Sequence, residues 1–184
     1  PLDVTSDESA MAFCEAALRI SPQVDALVNC AGVFPQALIE DITDEDWSRV
    51  MRINLDGAFY ACRAAAPYLK KSGKNGRIIN LSSQAALNGT AHGVHYGASK
   101  AALLGLTYCL AKELGPDGIT VNAILPGRID TEMLAYATPE RRAQWLQSTP
   151  LGRFGDTADI AELAVFLASD KGGYITGAKI NVNG

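Results

Sequence analysis

The sequence has no apolar run long enough to cross a lipid bilayer, and it carries little net charge. Hydrophobic residues make up 48% of its 184 positions, but polar residues interrupt them throughout the chain. The 20 acidic and 16 basic residues are mixed along the chain and leave a net charge of −4. Because neither charge sign dominates, we expect no nucleic acid and no membrane as the main partner.

Cysteine and histidine are also scarce, and neither shows the spacing of a metal site. The two histidines, His92 and His95, flank a glycine in a loop with no third ligand candidate nearby. The four cysteines are scattered through apolar segments, at Cys14, Cys30, Cys62 and Cys109. This usage predicts reduced, buried cysteines in a cytoplasmic protein, and no metal ion.

Helical segments alternate with short apolar strands along the chain. The predicted strands are 25–30, 77–81, 119–125 and 179–182, and the predicted helices are 6–19, 43–71, 96–114, 139–147 and 157–169. The first strand is so continuously apolar that it should lie inside a parallel sheet, and Pro67 should kink or break the second helix. The alternation predicts an α/β fold: a Rossmann-like doubly wound parallel sheet in a three-layer α/β/α domain over residues 1–184.

The densest group of candidate functional residues lies between residues 78 and 114. Tyr96 and Lys100 are four residues apart, so a helix places both side chains on one face. An ammonium beside a phenol favours the phenolate, so we expect Lys100 to lower the pKa of Tyr96 and to permit proton exchange near neutral pH. Ser83 ends a strand upstream and could hydrogen-bond the same substrate oxygen. A chance pair on a helix is the alternative interpretation.

Further motifs accompany this pair in a defined order. Asn29-Cys30-Ala31-Gly32 follows a strand, Asn54-Leu55-Asp56-Gly57 lies within a helical segment, and Pro126-Gly127 follows another strand. Together with Ser83, Tyr96 and Lys100, they resemble the short-chain dehydrogenase/reductase family, in its single-domain branch, over the whole chain. The resemblance implies NAD or NADP as cofactor and hydride transfer between nicotinamide and a small-molecule secondary alcohol/ketone substrate.

The resemblance also implies roles for individual residues. Tyr96 is the expected general acid/base, Lys100 also bonds the nicotinamide ribose, and Ser83 polarises the substrate carbonyl. Asn54 is expected to hold a water that links Lys100 to solvent, with an exposed helical asparagine as the alternative. Besides Tyr96 and Lys100, the expected cofactor-binding residues are Asp3, Val4, Asn29, Cys30, Ala31, Gly32, Pro126, Gly127, Ile129 and Thr131.

Three positions near these motifs need separate interpretation. The family has asparagine where this chain has Cys30, so a side-chain amide role is lost, although backbone contacts there should persist. Ser82 is expected only to satisfy local backbone groups. Arg128 could reach an anionic group, but we expect an exposed charge.

The sequence lacks the glycine-rich turn with which a dinucleotide-binding fold begins. By resemblance, that turn precedes the position matching Asp3, so this chain corresponds to the family without its first two strands and their helices, and most or all of the third. Strand 26–29 would then form an exposed hydrophobic edge. Because the chain opens at Pro1 rather than Met, we expect its true start to be missing or processed. Intact downstream motifs favour a polypeptide that continues before Pro1. The alternative is a truncation that binds cofactor poorly.

The C-terminal tail is most like that of the 3-oxoacyl-carrier-protein reductases, but sugar, polyol and xenobiotic dehydrogenases share it. A non-catalytic Rossmann-scaffold binding protein is one alternative, which loss of Tyr96 or Lys100 would have supported. A sugar-nucleotide epimerase of the extended branch is another, for which the chain looks too short. The resemblance further implies a homo-oligomer, dimer or tetramer, packed through helices 43–71 and 96–114. The choice between NAD and NADP stays open. Leu87, Val94, Leu134 and Trp145 suggest a partly apolar substrate pocket.

Overall fold

The protein is described here by a computed structural model that covers residues 2–73 and 76–184. Its centre is a parallel sheet of four strands in the order β1-β2-β3-β4. The strands are β1 Ala26–Asn29, β2 Arg77–Leu81, β3 Thr120–Pro126 and β4 Lys179–Val182. The predicted α/β class and the parallel sheet are therefore confirmed, and the four strands are neighbours in chain order.

Seven α-helices connect or flank these strands in the described part of the chain. They are α1 Asp7–Ile20, α2 Asp44–Met51, α3 Gly57–Lys71, α4 Ala85–Asn88, α5 Val94–Leu114, α6 Pro139–Gln147 and α7 Thr157–Ala168. Side-chain caps begin several of them: Ser6 accepts from Ser9 N, and Thr43 accepts from Asp46 N. Among the described helices, none combines the length and the apolar character that a membrane span requires.

Alternating strand residues build a separate core on each face of the sheet. Ile78 and Val121 face α1, α3 and α5, where they meet the side chains of Leu69 and Leu114. Ile79 and Ile124 point to the opposite face, where Leu167 of α7 covers them. Helices on both faces give the three-layer arrangement that the sequence predicts.

The predicted long helix 43–71 is interrupted, but not at Pro67. A π-helical segment, Arg52–Asp56, separates α2 from α3, whereas α3 continues through Pro67. Proline removes the hydrogen bond to the carbonyl of Arg63, and both residues lie on the exposed side of α3, where water can bond that carbonyl. The alternative of a break at 64–68 is therefore wrong. The irregular turn lies where Asn54 is turned inward.

Two burial predictions also fail, at β1 and at two cysteines. Strand β1 is an edge of the sheet rather than an interior strand, and its Val28 is 47% exposed. This agrees with the expected hydrophobic edge at 26–29. Cys14 and Cys62 are buried, but Cys30 and Cys109 are exposed. Cys30 directly follows the edge strand, and Cys109 lies on the outer face of α5. No other element of the described chain covers either of them.

The carboxyl ends of β2 and β3 position the candidate site. Strand β2 leads into Ser82 and Ser83, and β3 leads into Gly127, at the same end of the sheet. Helix α5 packs along β3 and brings its first turn, with Tyr96, over that end. The ends of parallel strands are the usual place for ligands in open α/β sheets.

Candidate active site

Tyr96 lies in the first turn of α5, and its side chain is buried against the aromatic ring of Phe34. The two ring centroids are 4.4 Å apart, with the planes tilted by 39°. Burial raises the pKa of Tyr96 above its usual value of 10.0, while a hydrogen bond with the Ser83 side chain works in the opposite direction. The net effect favours the neutral phenol over the phenolate.

Lys100 lies one helical turn after Tyr96 and is 5% exposed. Its Nζ donates to the carbonyl oxygen of Leu81 at 2.7 Å and lies 5.9 Å from the centroid of the Tyr96 ring. Burial lowers the pKa of Lys100 from 10.5 to about 8. The prediction that the side chains of Tyr96 and Lys100 lie on one face of a helix is confirmed. The expectation that Lys100 lowers the pKa of Tyr96 is wrong for this structure, because the ammonium is bonded to a strand carbonyl and burial dominates at the phenol.

The two serines after β2 have different contacts. Ser83 Oγ accepts a hydrogen bond from the backbone N–H of Ala85 at 3.1 Å, which fixes the hydroxyl beside Tyr96. Ser82 Oγ donates to the carbonyl oxygen of Lys100 at 2.7 Å. Ser82 therefore ties the end of β2 to α5, rather than satisfying only local backbone as expected.

Asn54 is buried inside the π-helical segment and is not an exposed helical asparagine. Its Oδ1 accepts from Val33 N at 2.8 Å, and its Nδ2 donates to Val33 O and to Ser99 Oγ, both at 3.0 Å. Ser99 Oγ in turn donates to the carbonyl oxygen of Tyr96 at 2.8 Å. A chain of hydrogen bonds thus joins the loop after β1 to the first turn of α5.

Tyr96 and Ser83 stand at the junction of two lobes of one cleft, with Gly127, Met133 and Leu134 also shared. We call the larger one, about 560 Å³, the lysine lobe. It is lined mainly by apolar side chains. Besides Tyr96 and Lys100, it contains six of the predicted cofactor-binding residues: Cys30, Gly32, Pro126, Gly127, Ile129 and Thr131.

The second lobe, about 370 Å³, extends from Tyr96 in the other direction. We call it the arginine lobe. Its distinguishing side chains are Phe34, Gln36, Arg128, Tyr136, Arg141 and Trp145. Of the residues expected to make an apolar pocket, Leu134 and Trp145 line this lobe, whereas Leu87 and Val94 are half-exposed and line neither lobe.

The remaining predicted residues lie in a neighbouring groove next to β1. Val4, Asn29 and Ala31 line it together with Asn54, and Val4 packs so closely on Gly57 that an added Cβ would lie 3.0 Å from it. Asn29 also reaches into the sheet, where Nδ2 donates to Asn80 Oδ1 at 2.9 Å. Val28 and Cys30 line both this groove and the lysine lobe, so the two adjoin at the end of β1.

Asp3 lies at the turn that precedes α1, and its side chain is occupied there. Its carboxylate accepts from Thr5 N at 2.9 Å and from Thr5 Oγ1 at 2.8 Å. These bonds lower the pKa of Asp3 below its usual value.

Sequence reasoning missed several contributors to this site. Ser99 and Phe34 carry no motif, and their roles arise only when α5 and the loop after β1 meet. Arg128 was expected to be exposed but is partly buried in the arginine lobe. Its position directly after Pro126-Gly127, at the carboxyl end of a buried strand, is the one sequence signal that could have indicated a ligand-facing cation.

Comparison with known proteins agrees with this geometry. The family described as enoyl-(acyl carrier protein) reductase matches residues 1–184. The 3-oxoacyl-[acyl-carrier-protein] reductase FabG of Thermotoga maritima is 38% identical over 183 residues, which is 100% of this chain and 74% of the relative.

Two relatives whose names state other activities are similar to a comparable degree. The (3R)-3-hydroxyacyl-CoA dehydrogenase of Rattus norvegicus is 40% identical, covering 92% of this chain and 68% of the relative. The L-rhamnose-1-dehydrogenase of Scheffersomyces stipitis is 41% identical over 186 residues, covering 100% of this chain and 72% of the relative. The chain therefore belongs to the short-chain dehydrogenase/reductase family and is an NAD(P)-dependent oxidoreductase.

Proposed function

We propose that the protein interconverts a secondary alcohol and a ketone, with Tyr96 as the general acid/base. The observation that carries this proposal is the convergence of Tyr96, Ser83 and Lys100 on one cleft at the carboxyl ends of β2 and β3. Relatives at similar identity act on acyl-carrier-protein, acyl-CoA and sugar substrates, as their names state. All three names fit oxidation or reduction at a carbon that bears oxygen.

The lysine lobe fits a nicotinamide cofactor. A Cβ added at Gly32 would lie 3.3 Å from both Lys100 Nζ and Asn54 Oδ1, so glycine leaves room for a ligand beside the ammonium. Lys100 has three N–H donors, and one of them bonds Leu81 among the described residues. Lys100 and Tyr96 would hold the nicotinamide ribose, and Pro126, Gly127, Ile129 and Thr131 would line the nicotinamide side.

The proton chemistry follows from where the hydroxyls lie. When bound, the cofactor supplies or accepts a hydride at the substrate carbon. In reduction, Ser83 donates a hydrogen bond to the substrate oxygen, and the Tyr96 phenol gives its proton to that oxygen. In oxidation Tyr96 takes the proton back. The ring of Phe34 packs on Tyr96 and keeps water from that side of the phenol. The chain from Ser99 to Asn54 fixes the first turn of α5, so that the phenol keeps its position.

The decisive variant is Tyr96→Phe, which removes the proton donor and keeps the ring. General acid/base catalysis contributes about 10²- to 10⁴-fold, so kcat should fall by about that factor while NADH or NADPH binding is retained. Tyr174→Phe is the control, since Tyr174 is fully exposed and lines neither lobe of the cleft. Unchanged turnover in Tyr96→Phe would rule out the proposed mechanism.

Assembly and location belong to the proposal as well. We propose a single-domain cytoplasmic protein that forms a homodimer or homotetramer through α3 and α5. Phe59 and Tyr108 on these helices are 41% and 38% exposed, as apolar residues at a subunit interface would be in an isolated chain. Light scattering coupled to size exclusion measures the mass, and a monomer at micromolar concentration would contradict this part.

A further inference from the structure

Two arginines in the arginine lobe have no carboxylate partner among the described residues. Arg128 and Arg141 both line this lobe, and no aspartate or glutamate of the described chain lines it with them. Arg142 and Arg153, close by in sequence, instead form ion pairs with Asp130 at 2.8 Å and Asp159 at 2.7 Å. The charge in the lobe is therefore left for something else to neutralise.

Trp145 holds both guanidinium groups in place. The Cζ of Arg128 lies 5.1 Å from the Trp145 ring centroid, and that of Arg141 lies 5.2 Å from it. Stacking on an aromatic ring orients a guanidinium plane and leaves its edge N–H groups free to bind a ligand. For Arg128, the polar partner among the described residues is Ser148 Oγ, at the long distance of 3.4 Å.

The partial burial of Arg128 also favours an anionic ligand. Its side chain is partly withdrawn from water, and that burial lowers its pKa below the usual value. A charge that has lost water without gaining a counter-ion raises the energy of the empty site. Planar oxyanions match the guanidinium edge with two parallel hydrogen bonds, which recovers that energy.

We infer that the substrate carries an oxyanion, a carboxylate or a phosphate, that binds Arg128 and Arg141 while its carbonyl lies between Ser83 and Tyr96. The substrate class is thus a short oxo acid and its hydroxy acid, or a phosphorylated hydroxyketone. This inference rests on the proposed function, because the reacting carbonyl is placed by Tyr96. Arg128 and Arg141 bind substrate in this scheme, and Trp145 is a positioning residue.

Matched substrate pairs test the inference by turnover. The pairs are 3-oxobutanoate and 3-oxohexanoate, each against its methyl ester, and dihydroxyacetone phosphate against dihydroxyacetone. Wild type should favour the anionic member of at least one pair by tenfold or more in kcat/KM. Arg128→Met and Arg141→Met should each reduce that preference, the ratio of kcat/KM for the two members, by about 10- to 100-fold. Whichever pair shows the effect identifies carboxylate or phosphate.

Arg142→Met is the control, because it removes the same charge from the same helix, outside the arginine lobe. It should keep the preference for the anion. An equal loss in all three variants would mean general electrostatic attraction and would overturn the inference, as would a wild type that prefers the neutral member of every pair.

Binding without turnover separates this inference from the proposed function. The chain has two tryptophans, so Trp47→Phe leaves Trp145 as the single reporter. Hexanoate and inorganic phosphate are titrated against hexanamide and chloride while fluorescence is recorded. A saturable change with one of the two oxyanions, abolished by Arg128→Met, supports the site even if no substrate turns over, in which case the proposed function alone fails. No change with either oxyanion, in a protein that does reduce ketones, overturns the inference and leaves the proposed function standing.

Discussion

The two sides of the cleft differ in how their polar side chains are satisfied. Behind the lysine lobe, Asn54 makes three hydrogen bonds, and Ser82 and Lys100 bond backbone carbonyls on neighbouring elements at 2.7 Å. In the arginine lobe, Arg128 and Arg141 stack on one indole and face open space. Each of these groups behind the lysine lobe has a hydrogen-bond partner, whereas the two arginines have no carboxylate partner among the described residues.

This difference matches the parts of the fold that supply each side. The hydrogen-bonded groups stand on α5, on the π-helical turn and at the end of β2, and sites built on such regular elements are held more precisely than sites on loops. The arginine lobe is built from the loop after β3 and from α6, where sequence can change without disturbing the sheet. The relatives are named for different substrates, which is compatible with a shared scaffold and a variable arginine lobe.

Removing a hydrogen-bonding side chain behind the lysine lobe should have the largest effect on stability. Asn54→Ala leaves both backbone groups of Val33 and the hydroxyl of Ser99 without their partner, in a site that is 1% exposed. We expect the free energy of unfolding to fall by about 3 kcal/mol and kcat to fall with it, because Ser99 supports Tyr96. Urea unfolding measures the first quantity, and steady-state kinetics the second.

Asn88→Ala is the control for that experiment. Asn88 ends α4 with an exposed side chain, so its removal should change the stability by no more than about 0.5 kcal/mol. Equal effects of the two substitutions would show that the Asn54 network is not a special source of rigidity.

Lys100 gives the next largest effect, through pH. Its pKa is about 8 when folded and near 10.5 when unfolded, so between these values the unfolded chain binds more protons and stability rises with pH. The cost of the buried charge is fully present below pH 8. From pH 7 to pH 10, wild type should gain about 2–3 kcal/mol of stability relative to Lys100→Met, at about 1.4 kcal/mol for each pKa unit.

Urea unfolding of both proteins across that pH range makes the measurement, since other titrating groups are common to the pair and cancel. If the difference in stability between the two proteins does not change with pH, burial of the Lys100 ammonium does not destabilise the fold. Lys100→Met should also weaken NADH or NADPH binding, which would tie the cost of burial to function.

Only some of these features of the fold and the candidate site could be predicted from the sequence. The order of strands and helices followed from apolar periodicity, and the Tyr96–Lys100 spacing placed both side chains on one face, because helix geometry is local. The family resemblance predicted roles for Asn54 and Ser83. In the structure Ser83 lies beside Tyr96, and Asn54 is linked to the backbone of Tyr96 through Ser99. The reversed pKa effect at Tyr96, the π-helical turn and the lack of a carboxylate for the two arginines within the described chain depend on burial and on contacts between distant segments, which no local pattern encodes.

The smallest effect on stability should come from a substitution in the arginine lobe. The difference in stability between wild type and that variant should become larger when an oxyanion is present. Arg141→Met removes a stacked cation without an ion pair among the described residues, so we expect about 0.5 kcal/mol or less. A ligand that binds only the folded protein adds stability as its concentration exceeds Kd. Whichever oxyanion binds in the titration, hexanoate or phosphate, should therefore at about 50 mM raise Tm of wild type and of Arg142→Met but not of Arg141→Met, with sodium chloride at equal ionic strength as the reference. Equal stabilisation of all three by that oxyanion would place the anion elsewhere, and the contrast between the two lobes would then lose its physical basis.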